Sequence, residues 1–278
     1  MIVDAHQHFW NLDRVAYPWL VPEYGPIYRT FEPDELEPQL KAAGVDKTVL
    51  VQSMDSYEDT AAMLGMADRL SWIGGVVGWV PLLRPDEAAK RLEGFSRVKA
   101  FKGMRHLIHT EADPDWVVQD VVIESLRILA SFGLTFDVVA VFPNHLKHVP
   151  TLCEKVPNLK MVIDHLAKPP YPDSSAMRVW EAQFAAAAQS TNVYAKISGL
   201  NTAAGKADWT AADIQPGIDF ALKHFGANRL MFGGDWPVAI LAGDYAKVWA
   251  ETGKALAHLS QFERDAILGG TATAFYQL

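Results

Sequence analysis

The sequence predicts an α/β protein whose chain folds into a (β/α)8 barrel. Three observations predict this fold: eight short apolar segments recur along the 278 residues, an amphipathic segment follows each of them, and the apolar segments lack the period-two alternation of half-exposed strands. Strands buried on both faces of a parallel sheet have this near-continuous apolar pattern. An open doubly wound sheet has the same alternation, but here the first apolar segment is followed by His-Gln-His-Phe-Trp rather than by the glycine-rich turn of a dinucleotide-binding fold. The barrel is therefore the favoured interpretation.

The predicted elements follow directly from this alternation. Strands are predicted at residues 2–6, 47–52, 72–80, 98–105, 134–139, 160–165, 193–198 and 229–235. Helices are predicted at residues 33–43, 58–70, 85–96, 115–132, 143–155, 174–189, 211–225 and 243–258. Proline near several of the helix starts and glycine just after several helix ends support these boundaries. A last amphipathic segment, residues 260–276, predicts an extra C-terminal helix.

Composition excludes several classes of function. The chain has 25 Lys and Arg against 33 Asp and Glu, a net charge of −8, which argues against nucleic acids and anionic membranes as partners. No apolar run is long enough to span a bilayer, and the first residues lack the pattern of a signal peptide. The single Cys153 cannot form an internal disulfide, which fits a reducing compartment. We expect one cytoplasmic domain over residues 1–278 that acts on a small molecule, as a monomer or a homodimer.

Polar side chains collect at the predicted carboxyl ends of the strands, where barrel enzymes place their active sites. His6 and His8 stand two apart at the end of the first strand, so both imidazoles face one side. His165 ends the sixth strand, and Asp235 ends the eighth after two glycines. Imidazole can ligate a metal or donate to a developing oxyanion, and a carboxylate can ligate a metal or accept a proton from water. We predict these four residues as the catalytic group.

A basic cluster on the fourth strand is the predicted substrate-binding group. Lys102, Arg105 and His106 can hold a carboxylate, polarise a carbonyl or bind sugar hydroxyls, although an ordinary ion-pair network with neighbouring carboxylates would look the same. Trp10 and Trp236 lie near the same end and are predicted as apolar walls of the site.

The remaining polar residues are given other interpretations. Asp164 is expected to point away from the site as a structural or outer partner. Lys196 is equally compatible with a site lysine and with a buried ion pair. The histidines on helices and loops are expected at the surface, namely His109, His145, His148, His224 and His258. Neither Ser53 nor Ser198 lies in a nucleophile-elbow motif, and Cys153 has no activating partner in the sequence pattern.

Five motifs resemble those of one superfamily, in the same order along nearly the whole chain. They are D-A-H-Q-H-F-W at 4–10, K-G-M-R-H at 102–106, D-H-L-A-K-P at 164–169, K-I-S-G-L at 196–200 and L-M-F-G-G-D-W-P-V at 230–238. They are similar to the amidohydrolase superfamily, and within it to the branch of sugar lactonases and 2-pyrone-4,6-dicarboxylate lactonase. The resemblance implies a distorted TIM barrel that hydrolyses a cyclic ester, such as an L-fucono-, L-galactono- or L-rhamnono-lactone. An aromatic or dicarboxylate lactone hydrolase and a decarboxylase of this superfamily remain alternatives.

The resemblance also bears on the metal. Superfamily members with two metals bridge them with a carboxylated lysine or a glutamate and add a histidine from the fifth strand, where this chain offers Asp137. A binuclear centre is therefore not expected. His6, His8 and Asp235 are predicted to hold a single divalent ion, most plausibly zinc, while metal-free catalysis, which the resemblance to metal-independent lactone hydrolases implies, is the alternative.

Overall fold

The computed structural model describes residues 1–278 and contains one sheet of eight parallel strands in sequence order. The strands are β1 (Val3–Gln7), β2 (Lys47–Val51), β3 (Ile73–Gly78), β4 (Phe101–His106), β5 (Thr135–Val138), β6 (Met161–Ile163), β7 (Val193–Ile197) and β8 (Leu230–Phe232). Just beyond β8, the Asp235 amide donates to the His6 carbonyl and the His8 amide donates to the Trp236 carbonyl, each at 2.7 Å. These two bonds join the last strand to the first, and the predicted (β/α)8 barrel is confirmed.

Helices surround the strands. They are α1 (Pro33–Ala43), α2 (Tyr57–Arg69), α3 (Pro85–Phe95), α4 (Asp120–Ser131), α5 (Val149–Lys155), α6 (Ser174–Ala187), α7 (Leu200–Ala203), α8 (Ala211–Phe225), α9 (Tyr245–Ala255), α10 (Gln261–Asp265) and α11 (Thr271–Tyr276). Gly44 and Gly226 follow α1 and α8 with positive φ angles of 71° and 69°, as expected for glycines that end helices. None of the helices combines the length and apolarity that a membrane crossing requires.

Several predicted boundaries are wrong, mostly at the end of the barrel that carries the site. β6 ends at Ile163 because four consecutive residues, 165–168, adopt positive φ angles that no strand contains. β8 ends at Phe232, and residues 233–235 form an irregular turn. Helix α4 begins at Asp120 and α5 at Val149, each later than predicted, since single 3-10 turns precede them. Sequence periodicity cannot separate such turns from the helix that follows.

The C-terminal segment covers the end of the barrel opposite the site. Phe275 and Tyr276 are 2 % exposed and pack with Val3, Ala5 and Val49 from the inner face of the sheet. The predicted single helix is interrupted at Ala266–Gly270 by a wide π turn. After this interruption, the end of the chain packs Phe275 and Tyr276 into the barrel interior.

A substitution at Gly269 in the π turn tests how closely this segment packs against the first residues of the chain. A Cβ atom built on Gly269 would lie 2.1 Å from the Met1 carbonyl oxygen, a contact that requires the backbone to move. We therefore expect Gly269→Ala to lower the free energy of unfolding by about 1–3 kcal/mol, measured by chemical denaturation. Gly253→Ala on the exposed face of α9 is the control, because nothing lies within 4 Å of its Cβ position. It should stabilise the protein by about 0.5–1 kcal/mol through helix propensity, and equal effects of the two variants would contradict the packing argument.

Candidate active site

Asp4 holds the first and last strands in position beneath the site. Its carboxylate accepts hydrogen bonds from the amides of His6 at 3.0 Å and Gly234 at 2.8 Å, and from the Tyr245 hydroxyl at 2.9 Å. A Cβ on Gly233 would lie 2.7 Å from Cβ of His6, so this glycine permits the close approach of the two strands. The consequence is that the end of β8 lies directly against the histidines of β1.

His6, His8 and Asp235 form a compact buried triangle at the mouth of the barrel. The two Nε2 atoms are 3.1 Å apart, and Oδ1 of Asp235 lies 3.8 Å from Nε2 of His6 and 3.6 Å from Nε2 of His8. Asp235 reaches this position with a φ of 52°, an uncommon backbone conformation for a residue other than glycine. Strained positions of this kind are enriched at functional sites. The structure therefore brings these three predicted residues together.

His165 joins the same group from β6. It lies in the run of positive φ angles, with its Nδ1 2.8 Å from the Ser198 hydroxyl and 3.9 Å from Oδ2 of Asp235. Its ring centre is 4.5 Å from that of His6. All four predicted catalytic residues thus surround one point.

A layer of charged groups lies beneath the histidines. Arg105 donates from one guanidinium nitrogen to Oδ2 of Asp164 at 3.1 Å and from the other to the Gln52 carbonyl. Oδ1 of Asp164 lies 3.2 Å from Nδ1 of His6, so the expected direction of its side chain is wrong, whereas its expected place as an outer partner of the site agrees with this contact. The irregular turn after β6 moves Asp164 out of the strand alternation on which that expectation rested.

Lys196 belongs to the same buried layer. Its ammonium contacts Oδ2 of Asp137 at 2.5 Å, Oδ1 of Asp164 at 3.2 Å and Nδ1 of His6 at 3.1 Å. The Tyr276 hydroxyl donates to Asp137 from the opposite side. Both interpretations of Lys196 therefore hold, because it is a buried ion-pair partner that also contacts a candidate catalytic histidine.

Burial and charge set the protonation states of this group. Burial lowers the pKa of His165 to about 4 and that of His6 well below its usual value, so both rings are neutral near pH 7. Burial opposes ionisation of Asp235, but the neighbouring His165, His8 and His6 outweigh it and hold the pKa of the carboxyl well below its usual range. The site therefore combines an ionised carboxylate with neutral imidazoles.

A cavity of about 300 Å³ opens above these residues. The floor of the cavity is formed by His8, Arg105, His165 and Asp235. The apolar groups that line it include the rings of Trp10, Trp19 and Tyr24. This volume is at the lower end of the range of small-molecule sites in proteins. The cavity can bind a ligand about the size of a monosaccharide against an aromatic wall.

Three predicted substrate-binding residues do not line this cavity. Lys102 lies near the amino end of β4, where its ammonium donates to the Gln277 carbonyl at 2.8 Å. His106 is enclosed by the Trp79 indole, which donates to its Nδ1, and by Glu111. Trp236 packs against Phe9 and Phe31 in the surrounding aromatic cluster. The structure therefore gives their predicted contact with substrate no support, because strand position alone does not specify which end or face of the barrel a side chain occupies.

Other residues of the cavity were missed by sequence reasoning. His109 is exposed, as expected, and also lines the cavity, as does Lys168 in the left-handed turn after β6. His145 and His148, also expected at the surface, are buried against backbone carbonyls. The position of Lys168 within the D-H-L-A-K-P motif at 164–169 is the signal in the sequence that pointed toward it.

The donor set of the triangle fits a divalent metal ion. Two imidazole nitrogens and one carboxylate oxygen at separations of 3.1–3.8 Å are ligands of the type and spacing that zinc takes at bond lengths of about 2.0–2.2 Å. His8 Nδ1 lies 2.7 Å from the Val51 carbonyl oxygen, which leaves its Nε2 lone pair facing the triangle. His6, His8 and Asp235 could therefore hold an ion through two imidazole nitrogens and one carboxylate oxygen.

Comparison with known proteins identifies the family. The family model described as amidohydrolase matches residues 3–278. The chain belongs to the amidohydrolase family. The predicted family and hydrolase class are thus confirmed, and so is the fold that the resemblance implied.

The amidohydrolase is similar to several characterised or solved relatives. It is 36 % identical to an L-fucono-1,5-lactonase of Burkholderia ambifaria, over 99 % of this chain and 95 % of that protein, and 35 % identical to an L-fucono-1,5-lactonase of Burkholderia multivorans, over 99 % and 96 %. A crystal structure of a Burkholderia multivorans amidohydrolase with bound zinc superposes with a TM-score of 0.91 at 33 % identity, covering 100 % of this chain and 99 % of the other.

Proposed function

We propose that this protein is a sugar lactonase that opens an aldono-lactone to the aldonic acid. The observation that carries the proposal is the buried Asp235 carboxylate, which lies within 4 Å of His6, His8 and His165 at the floor of a cavity with aromatic walls. The similarity to two L-fucono-1,5-lactonases supports an L-sugar lactone as the substrate.

Asp235 is the general base in this proposal. It takes a proton from water as the water oxygen attacks the lactone carbonyl carbon. When the bond between that carbon and the ring oxygen breaks, the same carboxyl returns the proton to the departing alkoxide. One group thus serves both steps, and the products are the hydroxyl and the carboxylic acid of the open chain, which ionises and releases its proton to solvent.

Stabilisation of the tetrahedral intermediate falls to the histidines. The Ser198 hydroxyl can donate to Nδ1 of His165, which places the ring proton on Nε2 and makes that nitrogen a donor to the developing oxyanion. His6 and His8 complete the polar surface beside Asp235. A divalent ion bound by His6, His8 and Asp235, zinc by our proposal, would act there as a Lewis acid on a substrate oxygen.

The sugar is oriented by residues that line the cavity. Arg105 lies on the floor, and the Trp19 and Tyr24 rings line the cavity with apolar surface of the kind on which sugar rings stack. Arg105 is already paired with Asp164 and Lys102 is remote, which leaves Lys168 as the other cation that lines the cavity. The similarity to two L-fucono-1,5-lactonases favours the sugar lactone over the dicarboxylate alternative.

The proposal is tested by proton release, followed with a pH indicator at pH 8. We expect rapid hydrolysis of L-fucono-, L-galactono- or L-rhamnono-lactone and slower hydrolysis of D-sugar lactones. A parallel reaction with Asp235→Asn corrects for spontaneous ring opening. No turnover across the panel, even after added zinc, would overturn the proposal and direct attention to aromatic lactones and decarboxylation.

A chelator arm of the same experiment tests the metal. If zinc is required, a strong chelator should abolish turnover and added zinc should restore it. Unchanged turnover in the metal-depleted protein would contradict the zinc proposal and leave charge stabilisation to the imidazoles alone.

A further inference from the structure

A chain of contacts from Val51 through His8 to Lys196 favours one placement of the ring protons of His8 and His6. The Val51 carbonyl oxygen can only accept, so the 2.7 Å contact requires His8 to carry its proton on Nδ1. Nε2 of a neutral His8 then has a lone pair. Because Nε2 of His6 lies 3.1 Å from that lone pair, a hydrogen bond between the two rings requires the His6 proton on Nε2.

This tautomer of His6 has a specific partner on its other side. With the proton on Nε2, Nδ1 of His6 carries a lone pair, and the Lys196 ammonium lies 3.1 Å from it as a donor. Lys196 is fully buried between Asp137 and Asp164 and has no room to turn toward solvent. Donation from Lys196 to His6, from His6 to His8 and from His8 to the Val51 carbonyl is therefore consistent with this one tautomer. The Arg105 guanidinium, 3.4 Å from Nε2 of His6, can only donate and favours the other tautomer.

A metal ion needs the opposite tautomer. Ligation by both Nε2 atoms requires lone pairs on both, so the proton of His6 must move to Nδ1. There it meets Oδ1 of Asp164 at 3.2 Å, which can accept it, but it also faces the Lys196 ammonium, which cannot. Lys196 and Asp164, which both contact Nδ1 of His6, thus favour opposite tautomers of this ring.

We propose that Lys196 is a positioning residue that holds His6 in the tautomer that cannot bind a metal ion. Lys196 thereby weakens zinc binding at the His6–His8–Asp235 site. Asp164 supports the opposite, metal-binding tautomer. This inference extends the metal site of the proposed function. Its readouts contain no lactone, so its failure is distinguishable from failure of the lactonase proposal.

The first test measures the tautomer directly. In metal-free protein labelled with 15N-histidine, with His6 assigned by comparison with a His6→Gln variant, NMR should show the proton of His6 on Nε2. Addition of zinc should move it to Nδ1. A proton on Nδ1 in the metal-free protein, or no change on zinc addition, would overturn the proposal.

The second test measures zinc affinity by competition with a chromogenic chelator at constant pH. Lys196→Met should strengthen zinc binding about tenfold or more, and Asp164→Asn should weaken it about 10- to 100-fold. The double variant Lys196→Met/Asp137→Asn should behave like Lys196→Met while relieving the buried carboxylate that the single variant leaves without its cation.

A matched control separates the tautomer from simple removal of positive charge. Lys168→Met removes an ammonium that lines the same cavity but has no hydrogen bond to His6. It should change zinc affinity less than threefold. Equal gains from Lys168→Met and from the Lys196 variants, or no gain from the Lys196 variants, would contradict the proposal.

Discussion

Asp235→Asn should lower kcat for lactone hydrolysis by about 10³-fold while the protein remains folded. An amide of the same shape cannot accept the proton of the attacking water, and positioned general bases contribute about 10²–10⁴-fold to catalysis. Because Asp235 is held mainly through its backbone amide and the adjacent glycine turn, the folded structure should tolerate the change. Steady-state kinetics with the sugar lactones and thermal unfolding followed by circular dichroism measure the two effects.

The control for this variant is Asp86→Asn, at an exposed position in the first turn of α3. It makes the same chemical change far from the cavity and should leave kcat unaltered. If Asp235→Asn retained near-native rates, the identification of the general base would be wrong.

Gly199→Ala should reduce activity about 10²-fold, although residue 199 has no chemical role. A Cβ atom there would lie 2.7 Å from Nδ1 of His165 and 2.9 Å from Oδ2 of Asp235, so both side chains must move. Displacement of catalytic groups by about 1 Å can cost about 10²-fold in rate. We expect the loss in kcat more than in KM, measured with the preferred lactone.

Gly133→Ala is the matched control because it imposes the same backbone strain elsewhere. Gly199 and Gly133 have φ angles of 61° and 69°, and nothing lies within 4 Å of a Cβ on Gly133. Each substitution should cost about 1–2 kcal/mol of stability for the left-handed conformation, and only Gly199→Ala should lose activity. Equal activities of the two variants would show that the side chains adjust to the added methyl group.

The buried charges are a physical reason to expect that small displacements of the catalytic side chains change activity. Arg105, Lys196 and Asp164 are each at most 4 % exposed, and each contacts a histidine of the site or a residue that does. Removal of one partner leaves an uncompensated charge in a poorly polarisable environment. Substitutions in this layer are therefore expected to change stability as well as the orientation of His6.

The residues of the site that lie at the carboxyl ends of strands were predictable from the sequence. His6, His8, His165 and Asp235 lie at the ends of three different strands, and parallel strands in a closed barrel bring these ends to one face. The contacts of Lys102 and Trp236 were not predictable in the same way, because a residue number on or beside a strand does not specify which end of the barrel or which aromatic cluster its side chain reaches.

The sequence by itself determined the barrel, the family and the identity of the four residues around one point, because apolar periodicity and local motifs are encoded over short distances along the chain. Only the tertiary structure decided that Asp164 faces inward, that His109 and Lys168 line the cavity and that Tyr276 reaches Asp137 from 139 residues away. Irregular turns such as 164–168 break the alternation from which side-chain direction is read. Buried charge networks join residues that are distant in sequence, and their pairing depends on the packing of all eight strands.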